Sequence, residues 1–156
     1  MKIPEFGEKQ IDIKYVDRPG AYGVIEDENG RIALMRTSWG VFLPGGGINP
    51  GESELDGLAR EIFEEMGARV HKASLFAKAN QYLFSRHYQQ YFRKMGSFYQ
   101  VTLPGDPKSI SKAPFRIEKD HELIWITHAQ IKDSLSEGFQ RWALEQWFEL
   151  VKKFQP

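Results

Sequence analysis

Gly45 to Ala68 reads GGGINPGESELDGLAREIFEEMGA, a run of glycines feeding an acidic amphipathic segment, and the fold follows from how this stretch is read. From Ser53 onward Leu55, Leu58, Ala59, Ile62, Phe63 and Met66 recur at three- and four-residue steps, which predicts a helix with one apolar stripe turned to a core. Ser53 is placed to cap the first turn, with Asp56 three residues on as an imperfect capping box, and Gly67 suits the left-handed residue that ends many helices. Glu61, Glu64 and Glu65 stand at i, i+3 and i+4, so three carboxylates crowd together on the polar side. Like-charge neighbours at that spacing cost roughly a few tenths of a kcal/mol each. Stability does not favour such a cluster. A solvated acidic face is the ordinary explanation for three glutamates on one helix, but here glycines, Glu52 and Arg60 accompany them.

Carboxylates so placed suit a hard divalent cation, since magnesium is commonly held by one or two carboxylates together with substrate phosphates and water. A cation would also relieve their repulsion. The glycines before the helix permit a close backbone approach that side chains would block. Phosphoryl transfer asks a protein mainly for positioning, charge neutralisation and a base to take a proton from water.

The spacing is specific. Gly46 is followed by five residues and Glu52, then seven residues and Arg60-Glu61-Ile62, one residue, Glu64-Glu65, one residue and Gly67. On this pattern the chain resembles the Nudix (MutT-like) hydrolases. At roughly 6% usage per residue type, seven fixed identities occur by chance in such a chain on the order of once in a million. One position departs: Ala68 stands where the family prefers a bulkier aliphatic residue, which touches packing and leaves the chemistry intact. The resemblance covers about 24 residues in detail. It implies an α/β/α sandwich with a mixed β-sheet between helices. It also implies magnesium, or manganese in its place, and cleavage of a phosphoanhydride by metal-activated water.

Carried over by position, the resemblance implies roles for the box residues. Glu61 is the general base, oriented by Arg60, although the base varies across the family and Glu61 against Glu64 stays open. Glu64 and Glu65 are metal ligands, joined by Glu61 and by the backbone carbonyl of Gly45 or Gly46. Glu52 braces the loop against the helix and Gly67 ends it. A further acid from a late loop is expected, with Glu118 first, then Glu122, and Asp120 between them.

Outward from the box, the flanks predict strands and helices. Ile11, Ile13 and Tyr15 alternate as a short strand ended by Arg18-Pro19-Gly20, and Ala21–Glu26 and Arg31–Arg36 flank an Asn-Gly turn as a hairpin. A brief strand at Trp39–Leu43 leads into the glycines. Val70–Phe84 and Gly96–Leu103 follow as strands, with an aromatic segment between them whose form is open. Residues 103–115 hold three prolines and predict a loop. Leu123–Ile126 is the last strand, His128–Leu135 a short helix capped by Thr127, and Phe139–Phe154 a long helix covering the sheet through Trp142, Ala143, Trp147, Leu150 and Phe154. This order predicts helices on a mixed sheet.

With 156 residues, 41% hydrophobic and 13% aromatic, the chain is expected to form one domain over residues 1–156. Its 21 basic and 21 acidic side chains cancel, so no general field draws it to nucleic acid or to an anionic membrane. No cysteine is present, which excludes disulfides and thiolate metal sites. The opening residues carry no apolar run suited to a signal peptide, and no stretch approaches a membrane span, so a cytoplasmic protein is expected.

Substrate recognition is thinner in the sequence. Arg36 is a candidate phosphate contact, and Trp39, beside the glycines, a candidate base-stacking ring. Gln81 to Phe92 is dense in aromatics and amides and is expected to line a nucleotide pocket. Four scattered histidines show no ligand spacing. Tyr82 lies fourteen residues past Ala68, near where dinucleoside polyphosphate hydrolases of the family carry a tyrosine, and no proline follows the box where ADP-ribose hydrolases often have one. The leading expectation is a magnesium-dependent pyrophosphohydrolase of a nucleoside triphosphate or related derivative, acting on a small nucleotide. Alternatives are dinucleoside polyphosphates, ADP-ribose and nucleotide sugars, or a silent nucleotide-sensing domain. A homodimer is common among relatives.

Overall fold

The computed structural model describes residues 2–105 and 120–153. In chain order they form β1 (Glu5–Phe6), β2 (Val16–Val24), β3 (Ile32–Thr37), β4 (Gly40–Phe42), β5 (Gly45–Gly47), α1 (Glu54–Met66), β6 (Lys72–Ser85), β7 (Gln90–Thr102), β8 (Glu122–Ile126), a short 3-10 turn at His128–Gln130, α2 (Ile131–Ser134) and α3 (Gly138–Lys153). A five-stranded mixed sheet runs β1-β6-β7-β2-β5, and a three-stranded antiparallel sheet runs β4-β3-β8.

Residues of both sheets contribute to two cores, one packed with α1 and the other with α3. Along β2 and β3 successive residues face opposite ways: Tyr22, Val24, Ile32 and Leu34 pack with α3, while Ala21, Ile25, Ala33 and Met35 pack with α1. Burial on both faces explains why these strands read as continuous apolar runs. The α/β/α sandwich is thus built around β2 and β3.

The helix over the box forms as its sequence predicts. Ser53 Oγ accepts from the Asp56 N–H at 3.1 Å, and Gly67 closes the helix at φ 68°, its N–H donating to the Phe63 carbonyl. The buried face is rotated, however. Leu55 is 51% exposed, while Gly57, Leu58, Ile62, Glu65 and Met66 are buried. Glu65 therefore does not share the solvated side with Glu64. Gly57 is at the contact because Ile48 lies where a Cβ would stand, 2.6 Å away.

Other expectations change, and one left open is decided. The first strand does not end at Arg18-Pro19-Gly20 but starts at Val16 and runs through them, parallel to β7. Pro19 is accommodated because its carbonyl accepts from the Ile48 N–H at 2.9 Å, and the ladder with β5 ends at the bond a proline cannot return. The Asp27–Gly30 turn is present, with Gly30 at φ 77°, but β2 and β3 part into different sheets beyond the Glu26–Ile32 bridge. Both edges of β2 are taken by β7 and β5, and both edges of β3 by β4 and β8. The aromatic segment after β6 closes a long hairpin: β6 and β7 pair from Lys72–Thr102 to Ser85–Gln90, with Gln89 in the left-handed region at φ 51°. In α3, Phe139, Ala143, Leu144 and Trp147 are buried while Leu150 is exposed, and Phe154 lies outside the described residues. Among the described residues no helix is long and apolar enough to cross a membrane.

Candidate active site

The glycine run is a strand, and a Cβ on any of its members would meet a close neighbour. A Cβ on Gly45, which holds φ 135°, would lie 2.2 Å from the Ala21 carbonyl oxygen; on Gly46 it would lie 2.8 Å from the Glu61 carboxyl carbon. On Gly47 it would meet the Arg18 guanidinium at 3.0 Å. Pairing of β5 with the edge of β2 sets this bare backbone beside Arg60, Glu61 and Glu65 of α1.

Arg60 gathers the acids. Its Nε donates to Glu52 Oε2 at 2.8 Å, and Nη2 donates to Glu52 Oε1 at 3.1 Å and to the Gly47 carbonyl at 2.9 Å. Nη1 reaches Glu61 Oε1 at 3.1 Å and both Glu64 oxygens at 3.3 and 3.4 Å. Glu52, and then Glu61, hold the guanidinium more firmly protonated than an ordinary arginine. Glu52 is held below the usual carboxylate range by Arg60 and by the Asn49 N–H, which donates to it at 2.9 Å. Glu52 thereby ties the loop before α1 to the helix.

Glu65 occupies a different environment. It is 5% exposed, accepts from the Gly45 N–H at 2.7 Å, and stands 3.5 Å from His121 Nδ1. Burial pushes its carboxyl up to about 7, against the opposing pull of His121 and of the Gly45 N–H. Glu61 and Glu65 line a cavity of about 690 Å³, whose wall does not include Glu64. The cavity continues along Trp39 and the tip of the β6–β7 hairpin.

Of the residues expected to read substrate, Trp39 lines this cavity, 48% exposed, its ring edge-on to His87 at 5.6 Å. Arg36 does not line it; its exposed guanidinium donates to Glu122 at 3.1 Å across β3 and β8. Tyr82 is directed elsewhere, buried edge-on to Tyr15 at 5.0 Å with its hydroxyl donating to Glu5 at 2.8 Å. The β6 register turns it toward the N-terminal segment. Among the late acids, Asp120 lines the cavity, Glu122 is spent on Arg36, and Glu118 lies outside the described residues.

The sequence reading passed over several cavity residues. Arg18 reads locally as part of a turn, yet it extends beside Gly47 and lies over the Tyr88 and Phe92 rings at 4.7 and 5.2 Å. Lys94 enters from β7, its Nζ donating to both Glu137 oxygens at 2.9 and 3.0 Å. His121 had a signal only in its acidic neighbours at 120 and 122.

The donors fit a hard divalent cation in kind. Glu61, Glu64 and Glu65 are all oxygen donors on one helix, and Gly46 brings bare backbone close to the Glu61 carboxylate. Among the described residues no three acids or imidazoles already converge on a common centre, because Arg60 holds Glu61 and Glu64 while Glu65 faces Gly45 and His121.

Comparison with known proteins gives this geometry a family. The NUDIX domain profile matches residues 16–148. A 50-residue segment is 48% identical to an RNA pyrophosphohydrolase of Ruthia magnifica subsp. Calyptogena magnifica, covering 32% of this chain and 27% of that one. A 70-residue segment is 37% identical to the RNA pyrophosphohydrolase of Pectobacterium carotovorum subsp. carotovorum (strain PC1), covering 42% and 38%. The matches thus span well under half of those relatives' lengths. In fold, the chain is similar to a MutT protein from Methanosarcina mazei Go1, with TM-score 0.66, 20% identity and coverage of 90% and 99%. It is likewise similar to a NUDIX hydrolase from Nitrosomonas europaea, with TM-score 0.64, 16% identity and coverage of 86% and 90%. A profile match over most of the chain, on a box whose arginine and glutamates meet beside a glycine strand, shows that this protein belongs to the Nudix hydrolase family.

Proposed function

We propose that this protein hydrolyses a phosphoanhydride bond of a nucleoside polyphosphate, with nucleoside triphosphates as the leading substrates, in a reaction dependent on magnesium or manganese. The observation that carries the reading is one cavity with Glu61 and Glu65 at one end and Trp39 with the hairpin aromatics at the other. About 690 Å³ lies within the range of small-ligand sites. Glu61, Glu64 and Glu65, with a carbonyl of Gly45 or Gly46, would hold the cation. When bound, it would neutralise phosphate oxygens and make a water molecule more acidic.

Glu61 is our candidate for the general base. It faces the cavity, Arg60 fixes one of its oxygens, and the bare Gly46 lies beside it. Glu64, held by the same guanidinium and absent from the cavity wall, is placed to orient rather than to accept the proton. Trp39 offers a flat apolar face to a base.

A second reading extends the substrate to the 5′-triphosphate end of RNA. The names of the two curated relatives favour it, over the segments they match. Incubation with magnesium and a panel of nucleoside triphosphates, oxidised guanine nucleotides, dinucleoside polyphosphates, ADP-ribose, sugar nucleotides and 5′-triphosphorylated oligoribonucleotides tests both. Nucleoside monophosphate plus pyrophosphate from triphosphates supports the leading reading. Pyrophosphate or orthophosphate released from the oligoribonucleotide alone supports the second. Cleavage confined to ADP-ribose or sugar nucleotides overturns both. Nucleotide binding without turnover of any compound indicates a sensor.

A further inference from the structure

We infer that Arg18 is the phosphate anchor of this cavity, gripping the phosphate group next to the one presented to the glutamates; this deepens the hydrolase reading and rests on it. Most of the cationic charge around the cavity is already engaged. Lys94 is paired with the largely buried Glu137 at 2.9 and 3.0 Å, and Arg60 is divided among Glu52, Glu61 and Glu64. Arg86 stands exposed at the hairpin turn, over the Trp39 ring at 5.7 Å. Arg18 is the half-buried cavity guanidinium that has no carboxylate partner among the described residues.

Its surroundings hold it still without neutralising it. Tyr88 and Phe92 lie against its guanidinium at 4.7 and 5.2 Å, and Nη2 donates to the Tyr88 hydroxyl at 3.3 Å. With one N–H given to Tyr88, the guanidinium keeps further N–H groups to donate. A guanidinium fixed in this way suits two-pronged donation to a phosphate.

Position supplies the rest. Gly46 and Gly47 are consecutive on β5, one crossed by the Glu61 carboxylate and the other by Arg18. Successive strand residues face opposite ways, so the carboxylate and the guanidinium flank β5 from its two sides, and both line the one cavity. A polyphosphate laid along this edge presents one phosphate to the glutamate end and the next to Arg18. The site therefore selects linked phosphates over a lone phosphate, whatever base they carry. Gly47 lies outside the Nudix spacing pattern, and Arg18 passes beside it, 3.0 Å from where a Cβ would stand.

The test is titration calorimetry at fixed magnesium concentration, with inorganic tripolyphosphate as probe and orthophosphate as comparison. The wild type is expected to prefer tripolyphosphate. Arg18→Gln should weaken tripolyphosphate binding about tenfold or more, the usual consequence of losing a charge-assisted contact, and bring it toward orthophosphate. Arg18→Lys should restore much of the affinity. With the best nucleotide substrate, KM should rise more than kcat falls. If Arg18 only packs the hairpin, Arg18→Gln and Arg18→Lys will both lower the melting temperature while tripolyphosphate affinity stays unchanged, and the inference is overturned. Normal turnover with unchanged probe affinity in Arg18→Gln removes the anchor and leaves the hydrolase standing. Probe binding lost in Arg18→Gln, in a wild type that turns over nothing, keeps the anchor and removes the hydrolase.

Discussion

Alanine placed in turn at Gly45 and Gly46 separates what the strand does for the fold from what it does for the chemistry. At Gly46 the new methyl would sit 2.8–2.9 Å from the Glu61 carboxylate, where ordinary contact begins at 3.4 Å, so the carboxylate must retreat by about half an ångström. Gly46 does not hold a positive φ, so alanine suits its backbone. The movable partner is the end of a side chain, and the folding cost should stay under about 1 kcal/mol, below the usual range for overpacking. Activity is the sensitive quantity. Misplacement of a reacting group by about 1 Å can cost about a hundredfold in rate, so kcat is expected to fall about ten- to a hundredfold.

Gly45 should behave in the opposite way. Its Cβ would meet the Ala21 carbonyl at 2.2 Å and the Tyr22 Cα at 2.7 Å, and φ 135° is strained for alanine. Backbone strain and overpacking each cost about 1–3 kcal/mol. Together they should lower the melting temperature by about 5–15 °C at the usual size scaling. Melting followed by circular dichroism, with turnover measured at a temperature where each variant is folded, distinguishes the two effects. A Gly46→Ala variant as active as wild type, or one that melts as early as Gly45→Ala, would refute the placement of Glu61 over the strand.

Three further outcomes follow from the same geometry. Glu61→Gln should lower turnover about a hundredfold, the scale of general-base loss, with little change in melting; a larger loss in Glu64→Gln, with manganese affinity intact by calorimetry, would transfer the base role to Glu64. Tyr82→Phe should leave KM unchanged because its hydroxyl is given to Glu5, whereas Trp39→Ala should raise KM for nucleotides severalfold; the reverse ranking in steady-state kinetics would contradict the cavity assignment. Asp27 is buried, which raises its carboxyl, but the Arg31 and Asn29 N–H groups and the Arg31 guanidinium outweigh this and hold it below its ordinary value. Its stabilisation is therefore complete above the unfolded value of about 3.9 and lost as pH falls through the lower folded value. The gap in melting temperature between wild type and Asp27→Asn should narrow from neutral pH to below pH 3, and a constant gap would show that the carboxylate charge is irrelevant.

Local chemistry was the most legible part of this chain. A serine cap, a three- and four-residue repeat and a glycine stop specify α1, because each acts within one or two turns of its own backbone. The spacing of Glu52, Arg60, Glu61 and Glu64 likewise placed them within reach of one another, since all but Glu52 lie on a single helix and Glu52 immediately precedes it. The sequence alone therefore determined the helix, the identity of the box and the layered class of fold. Partnership between distant segments was beyond it. Apolar periodicity put Glu65 on the wet side and Leu55 in the core, but the buried face of α1 is set by where β5 and Ile48 meet it, and Gly45 supplies the N–H that lets Glu65 be buried. Pro19-Gly20 reads locally as a turn, yet parallel pairing with β7, seventy-six residues downstream in register, carries the strand straight through and delivers Arg18 to the cavity. Tyr82 and Trp39 were equal candidates by composition, and the register of β6 against β7 sent one toward Glu5 while the β3–β4 turn left the other at the cavity. Register and edge occupancy are properties of the assembled sheets, fixed only when every strand edge has found its partner, and no window of sequence contains them.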